Sequence, residues 1–406
     1  MRKLVIIGMV FPEPESTAAG KRMMQLIEAF LEQNFSITFL STALQTENGA
    51  DLDSKNIASH RILVNDSSFD ELITELSPDV VMFDRYITEE QFGWRITENC
   101  PNALKILDTE DLHFLRNARR KAFHEGRTVT ESDLVNDIFK REIASIYRSD
   151  LSLIISEFEY ELLQEKFSIP KELLFYMPFL TDKSHNAVPG FEERRHFVSI
   201  GNFLHEPNWQ TVLRIKKLWP EIRKNIPGAE VHIYGAYASE KVLNLHDEQS
   251  GFLIKGRADS SAEIFNSYRV LLAPIPFGAS LKGKLWESML YGLPNVTSSV
   301  GAEAMNGRFS WNGFIEDDDG QFIEKCCELY QNSNTWTKSQ AAGFTILQNR
   351  YCRKQFLPQF FEKIRGILNN LSDHRNRNFM GQILQHHQLN SLKYMSRWIE
   401  EKNRKQ

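Results

Sequence analysis

The chain has 406 residues, 42% hydrophobic and 25% charged, with 28 Phe and 7 Trp available to fill apolar interiors. That length exceeds one ordinary core and points to two domains, while the composition excludes a chain that is disordered throughout. With 48 Lys and Arg against 53 Asp and Glu the net charge is −5. Attraction of the whole surface to nucleic acid is therefore not expected, and any anion site has to be local.

In chain order, KLVIIGMVF reads as a first strand. Its apolar run is short, contains Gly8 and gives way to Pro12 and acidic residues without a small-residue cleavage site, so it is not read as a secretion signal. The loop STAAGKR, Ser16–Arg22, then opens a helix with Met23, Ile27, Phe30 and Leu31 on one face. Gly20 and the N–H groups beside it are candidates to face a phosphate, the plain alternative being an ordinary βα turn. SITFLSTA, DVVMFD, ALKILDTED and LSLIISE follow as strands, several apolar throughout, as strands covered on both faces are. The alternation of strands and helices predicts a parallel βαβ domain.

Strand ends in this half carry polar groups. Asp84 and Arg85 close DVVMFD and are candidates to bind an acceptor hydroxyl or phosphate. LDTEDLHFLR gathers Asp108, Glu110, Asp111 and His113 just past a strand, where His113 and Asp111 are candidates for acid–base work; a structural histidine is the alternative. RNARRKAFHEGR, with Arg116, Arg119, Arg120, Lys121 and Arg127, suits a lipid-phosphate acceptor or an anionic membrane surface, or else a solvated helix face.

After the turn-rich PFLTDKSHNAVPGFEERR the pattern restarts with HFVSIGNF, a helix over Pro207–Arg223, then AEVHIYGA, GFLIKG, VLLAPI and NVTSS as strands. The expected division is residues 1–185 as an N-terminal domain, 186–345 as a second βαβ domain, and 346–406 as C-terminal helices with a basic amphipathic tail. Two such halves predict a cleft, with ligands beyond the carboxyl ends of the strands. Between VLLAPI and NVTSS lies PFGASLKGKLWESMLYGLP, which puts Lys282 and Lys284 at a helix opening. Cations are mildly unfavourable there unless an anion joins them. A phosphate site explains the arrangement, and so does a solvated Lys284–Glu287 pair.

The stretch FVSIGNFLHEPNWQTVLRIKKLWPEIRKNIPGAEVHIYG, followed by LIKGRADSSAEIFNSYRVLLAPIPFGASLKGKLWESMLYGLPNVTSSVGAEAM, resembles the donor-binding half of family 4 (group 1) glycosyltransferases with the GT-B fold. The resemblance implies two Rossmann-like parallel-sheet domains facing a cleft. It also implies transfer of a sugar from a nucleotide diphosphate sugar to a glycan, lipid-linked or small-molecule acceptor, with retention. The donor is a substrate, and no cofactor and no metal is implied. The diphosphate is expected at Lys282, Gly283 and Lys284, with Gly20 opposite, and Glu287 matches the glutamate that hydrogen-bonds the ribose. His113 matches a first-domain histidine near the donor sugar. Family members often carry a second glutamate eight residues before the first; Ala279 stands there, so sugar contacts are expected from the loop of Phe277, Gly278, Ala279, Ser280 and Leu281. The base is expected against the strand ends Tyr234–Tyr237 and Lys255–Arg257.

Two other readings fit the same residues: a catalytically silent protein of this fold that binds a partner or substrate, and a nucleotide-sugar epimerase. The four cysteines show no CxxC spacing and suit a reducing compartment. No window reaches the ~18–20 apolar residues of a membrane span. The expected location is cytoplasmic, with peripheral contact at the membrane inner face.

Overall fold

A computed structural model describes residues 1–182 and 188–404, leaving aside the side chains of 387–390 and 404. Two sheets, parallel throughout, organise the chain. The first contains β1 (Lys3–Gly8), β2 (Ser36–Ser41), β3 (Ala58–Arg61), β4 (Val80–Asp84), β5 (Leu104–Asp108), β6 (Leu151–Ile154) and β7 (Leu174–Tyr176), in the order β3-β2-β1-β4-β5-β6-β7. The second contains β8 (Arg195–Ile200), β9 (Val231–Tyr234), β10 (Phe252–Gly256), β11 (Tyr268–Ala273), β12 (Asn295–Thr297) and β13 (Gly313–Ile315), in the order β10-β9-β8-β11-β12-β13. This is the expected pair of Rossmann-like domains. Three short strands, β3, β7 and β13, add to those the sequence announced; none has the sustained apolar run of its neighbours.

The central strands explain the arrangement. All five residues of β4 and of β5 are buried, because helices cover both faces of the sheet. The helix Ala18–Glu32 lays Met23, Ile27 and Phe30 on one face of the sheet, and the helix Arg85–Asn99 lays Phe92 and Ile96 on the other. Order reverses between β1 and β4 in one sheet and between β8 and β11 in the other. At each reversal the flanking loops diverge and leave a crevice at the strand carboxyl ends, where ligands bind in such sheets.

The boundary expected between residues 185 and 186 lies outside the described residues. The last helices return to the first domain. Phe360, Phe361, Ile364 and Ile367 of the helix Arg353–Asn369 join the core of Leu4, Phe30 and Met177. The helix Phe379–Arg404 packs along Arg85–Asn99, where Arg95 meets Ser396 at 3.2 Å and pairs with Glu400. Arg375 grips Asp150 through two nitrogens, each at 2.8 Å. Residues 353–404 thus complete the N-terminal domain.

Candidate functional site

The loops at both crevices enclose a cavity of about 840 Å³, a size suited to a small-molecule ligand. On its wall two helix openings meet. A methyl group built on Gly283, the first residue of the helix Gly283–Leu290, would lie 2.5 Å from Cβ of Ala18, the first residue of Ala18–Glu32. Only a residue without a side chain lets the helices approach so closely. Both helix dipoles therefore direct their positive ends at one spot, where unpaired first-turn N–H groups are also concentrated.

Two lysines stand beside this spot. Lys284 Nζ donates to Asn208 Oδ1 at 2.7 Å and has no carboxylate partner among the described residues. Burial, then the nearby Lys282, pushes its ammonium down to about 7, so this site favours a bound anion. Asn208 is itself anchored, its Nδ2 donating to Asn202 O at 2.8 Å. Lys282 behaves differently from the expectation of a free phosphate cation. Its Nζ folds back onto the carbonyls of Ala279 (3.0 Å) and Ser280 (2.5 Å), and burial lowers it to about 8. It staples the loop and contributes charge from there.

Gly20 needs a correction. Its N–H is taken by the Thr17 side chain at 2.9 Å, the N-cap of its helix, and a Cβ there would strike the Glu13 backbone at 2.5 Å. The glycine is required for packing, and the cavity is lined instead by Ser16, Thr17, Ala18 and Ala19. Glu287 faces the cavity and receives Ser261 Oγ at 2.8 Å and the ammonium of Lys21, which also donates to Ser261 Oγ at 2.9 Å. Lys21 reaches across from the N-terminal domain.

The loop Phe277–Leu281 lines the cavity but is itself held from the opposite domain. Arg119 Nη1 donates to Gly278 O at 2.8 Å while the same guanidinium pairs with Glu303. The Ser280 N–H goes to Glu159 Oε1 at 2.8 Å, and its hydroxyl goes to Glu110 O at 3.0 Å. The N–H of Ser280 is therefore committed to a carboxyl and is not free for a sugar, contrary to expectation. Phe277 packs on Phe123 at 4.9 Å between ring centres. Ala279 joins the apolar cluster of the N-terminal domain, so the position of the missing glutamate is packed against that domain.

On the N-terminal wall, His113 lines the cavity with Nδ1 3.0 Å from Glu142 Oε1, and Glu142 also accepts the backbone N–H groups of His113 and Phe114. The carboxylates of Asp111 and Glu142 raise the imidazole above its ordinary value despite burial. Asp111 is engaged by Arg116 at 2.6 Å, and its pKa is lowered mainly by Arg116, then His113, against burial. It orients its neighbours and holds no spare proton. Asp84 and Arg85 sit together at the end of β4, 3.3 Å apart; Arg85 lines the cavity, while Asp84 is 5% exposed and accepts Met9 N–H at 3.2 Å. Asp108 is locked by Arg22, which donates to it through two nitrogens and to Met177 O at 2.7 Å. The strand-end groups expected to hold a base divide. Gly235, Ala236, Arg257, Ala258 and Ser261 line the cavity, whereas Lys255 is exposed outside it and Tyr234 bonds Tyr268 at 3.0 Å.

Each cation of RNARRKAFHEGR is paired: Arg116 with Asp111, Arg119 with Glu303, Arg120 with Glu206, Lys121 and Arg127 with Asp133. The stretch seals the gap between domains and offers little free charge to a membrane. No helix among the described residues is long and apolar enough to cross one. Sequence reasoning missed Lys21, Ser261, Asn208, Arg119 and Glu159 as parts of the site. The PN that opens the helix Glu206–Asn225 was visible, yet only the fold shows that Asn208 serves Lys284.

Residues 194–332 match the family described as glycosyl transferases group 1. No curated protein matches the chain. Solved structures do. Sucrose-phosphate synthase from Thermosynechococcus elongatus superposes with a TM-score of 0.68 at 12% identity, covering 91% of this chain and 100% of that one. HepE of Anabaena in complex with UDP gives 0.62 at 12%, covering 90% and 100%. A TarM mutant of S. aureus, in complex with fondaparinux, α-GlcNAc-glycerol and UDP, gives 0.57 at 13%, covering 74% of this chain and only 58% of that one. The chain is thus built on the two-domain GT-B fold, and over residues 194–332 it matches the glycosyl transferases group 1.

Proposed function

We propose that this protein transfers a glycosyl group from a nucleoside diphosphate sugar to the hydroxyl of a glycan, lipid-linked or small-molecule acceptor. The observation that carries the reading is the convergence of two helix N-termini beside Lys284, a half-buried cation without a carboxylate partner among the described residues. A diphosphate supplies the missing negative charge, and its two groups match two helix openings. Glu287 and Ser261 then face the ribose hydroxyls, with Lys21 released from Glu287 or shared with the phosphates. Gly235, Ala236, Arg257 and Ala258 border the space left for the base.

The same groups stabilise the leaving diphosphate. Charge that develops as the glycosidic bond breaks meets fixed N–H donors and ammonium groups in a partly dry cleft, an arrangement that needs no metal bridge. His113, held by Glu142 and raised above its ordinary imidazole value by Asp111 and Glu142 against burial, donates to a sugar or acceptor oxygen. Because three solved neighbours hold UDP, uracil is the first base to test.

The test is calorimetry of the full chain with UDP, GDP, dTDP, ADP and CMP and with their sugars, beside the Lys284→Ala/Glu287→Ala variant. One nucleoside diphosphate is expected to bind the wild type and to lose its affinity in the variant. Absence of binding by every nucleotide would overturn the reading.

A further inference from the structure

We infer that Glu159, with Arg119 as a second point of hold, is a positioning residue that sets the loop Phe277–Leu281 against His113, an inference resting on the glycosyl-transfer reading above. Glu159 lies in the short helix Glu157–Glu161 of the N-terminal domain, is 0% exposed and is not itself among the residues that line the cavity. It therefore acts through the groups it holds.

Those groups belong to both walls. One oxygen, Oε1, accepts the Leu112 N–H at 3.3 Å and the Ser280 N–H at 2.8 Å. Leu112 precedes the helix His113–His124, which has no capping side chain of its own. Glu159 and Glu142, from other elements, satisfy its opening N–H groups instead. A single carboxyl oxygen thus ties the start of the helix that carries His113 to the loop on which the donor sugar is proposed to lie.

The loop needs a hold from outside. Ser280 has φ +63°, a left-handed conformation that is unfavourable for a residue with a side chain and persists where the surroundings fix it. Glu159 takes its N–H, Glu110 O takes its hydroxyl at 3.0 Å, and two residues earlier Arg119 donates to Gly278 O at 2.8 Å. All three holds come from the N-terminal domain. The groups assigned above to the nucleotide, Lys284, Glu287 and the two helix openings, lie outside this loop. Loss of the Glu159 contact should therefore disturb the sugar end of the site and spare the nucleotide end.

The chemistry of the carboxyl selects the variants. Burial, then Asp111, raises it to about 8, against the two N–H donors and Lys282. Gln, uncharged and with an acceptor oxygen in the same place, is the conservative replacement. Met fills the same space and accepts nothing, which leaves two buried N–H groups without their partner.

The experiment uses the full chain with the nucleoside diphosphate that binds in the screen above, UDP first, and with its glucose and N-acetylglucosamine derivatives. Calorimetry gives the affinities, and release of the nucleoside diphosphate with water as the acceptor gives kcat and KM. Glu159→Met is expected to bind the nucleoside diphosphate within about threefold of wild type and to lose about 100-fold in kcat, the cost of a displacement of about 1 Å at a reacting site. Glu159→Gln should keep kcat within about threefold of wild type, and Arg119→Met should lose about tenfold in kcat with the nucleotide affinity retained. A carboxyl with only a structural role would lower the unfolding midpoint and leave this split and the Gln rescue unseen. A kcat for Glu159→Met within about threefold of wild type, a matching loss of nucleotide affinity, or a Glu159→Gln as slow as Glu159→Met would overturn the inference and leave the transfer reading intact. Should Glu159→Met fail to fold, an Arg119→Met with unchanged kcat overturns it in the same way. A wild type that binds no nucleoside diphosphate, or releases none from its sugar, overturns both.

Discussion

The two poles of the cleft hold their charges differently: at one, Lys282 and Lys284 have no carboxylate partner among the described residues, and at the other, carboxyls are paired with arginines. Where the helices Ala18–Glu32 and Gly283–Leu290 open against each other, the field is positive, with Lys282, Lys284 and two dipole ends. Beyond β4 and β5 stand Asp84, Asp108, Glu110 and Asp111, of which Asp84, Asp108 and Asp111 are paired with Arg85, Arg22 and Arg116. Burial shifts groups at each pole toward neutrality: Lys284 falls to about 7, Lys282 to about 8, and Glu110 rises to about 8, while Arg116 holds Asp111 below its ordinary value. At the lysine pole, such a site is poised to trade these costs for a ligand that carries an anion. The lysine pole is divided between domains, one helix opening coming from each, whereas the carboxyl pole belongs to one sheet.

That difference gives the largest expected effect. Gly283→Leu pushes a side chain into Ala18 and parts the two helix openings. A displacement of about 1 Å at a reacting site costs on the order of 100-fold in rate. Turnover of the donor should fall by at least that factor, while circular dichroism and the unfolding midpoint of each domain stay close to wild type. Activity within about tenfold of wild type would show that the poles need not meet.

Next comes the lysine itself. A hydrogen bond to a charged group contributes about 1.5–3 kcal/mol, or about 10- to 100-fold in affinity. Lys284→Met should weaken nucleotide-sugar binding by this range in a calorimeter. Asn208→Ala, which only frees the lysine from its anchor, should cost several-fold. Equal affinity in Lys284→Met and wild type would place the anion elsewhere.

The pH dependence should be of similar or smaller size. The free Lys284 ammonium titrates at about 7, and the bound diphosphate favours its charged form. Affinity is then full below pH 6.5 and declines as pH rises through 7 toward the higher pKa of the complex. A sugar nucleotide is the proper probe, since its diphosphate does not titrate in this range. About tenfold weaker binding is expected at pH 8.5 than at pH 6.5, and Lys284→Met should flatten the curve.

Legibility followed the same division. The positive pole could be read because Lys282, Gly283, Lys284 and Glu287 lie within one turn-and-helix stretch, where a charge of the wrong sign stands out against the helix dipole. The strands β1, β2, β4, β5 and β6 were legible from their apolar runs, while β3 and β7 at the sheet's two edges were not. What sequence could not give is pairing across domains. Nothing local says that Lys21 caps Glu287, that Glu159 takes the Ser280 N–H, or that Thr17 removes the Gly20 N–H from use. Those facts follow from which strand ends face each other, and separations of 266 and 121 residues carry no periodic signal.

The smallest expected effect tests where the base lies. Lys255 and Arg257 stand two residues apart at the end of β10, and by sequence either serves equally well. In the fold only Arg257 borders the cavity; Lys255 is exposed outside it. An exposed lysine away from a ligand changes binding by no more than about 0.5 kcal/mol, roughly twofold. Lys255→Ala should therefore leave affinities for UDP, GDP and ADP where they are. Arg257→Ala should alter their ranking, because it reshapes the wall against which the base rests. If Lys255→Ala changes the ranking and Arg257→Ala does not, the base lies over the outer face of β10 and the positive pole holds the diphosphate from the other direction.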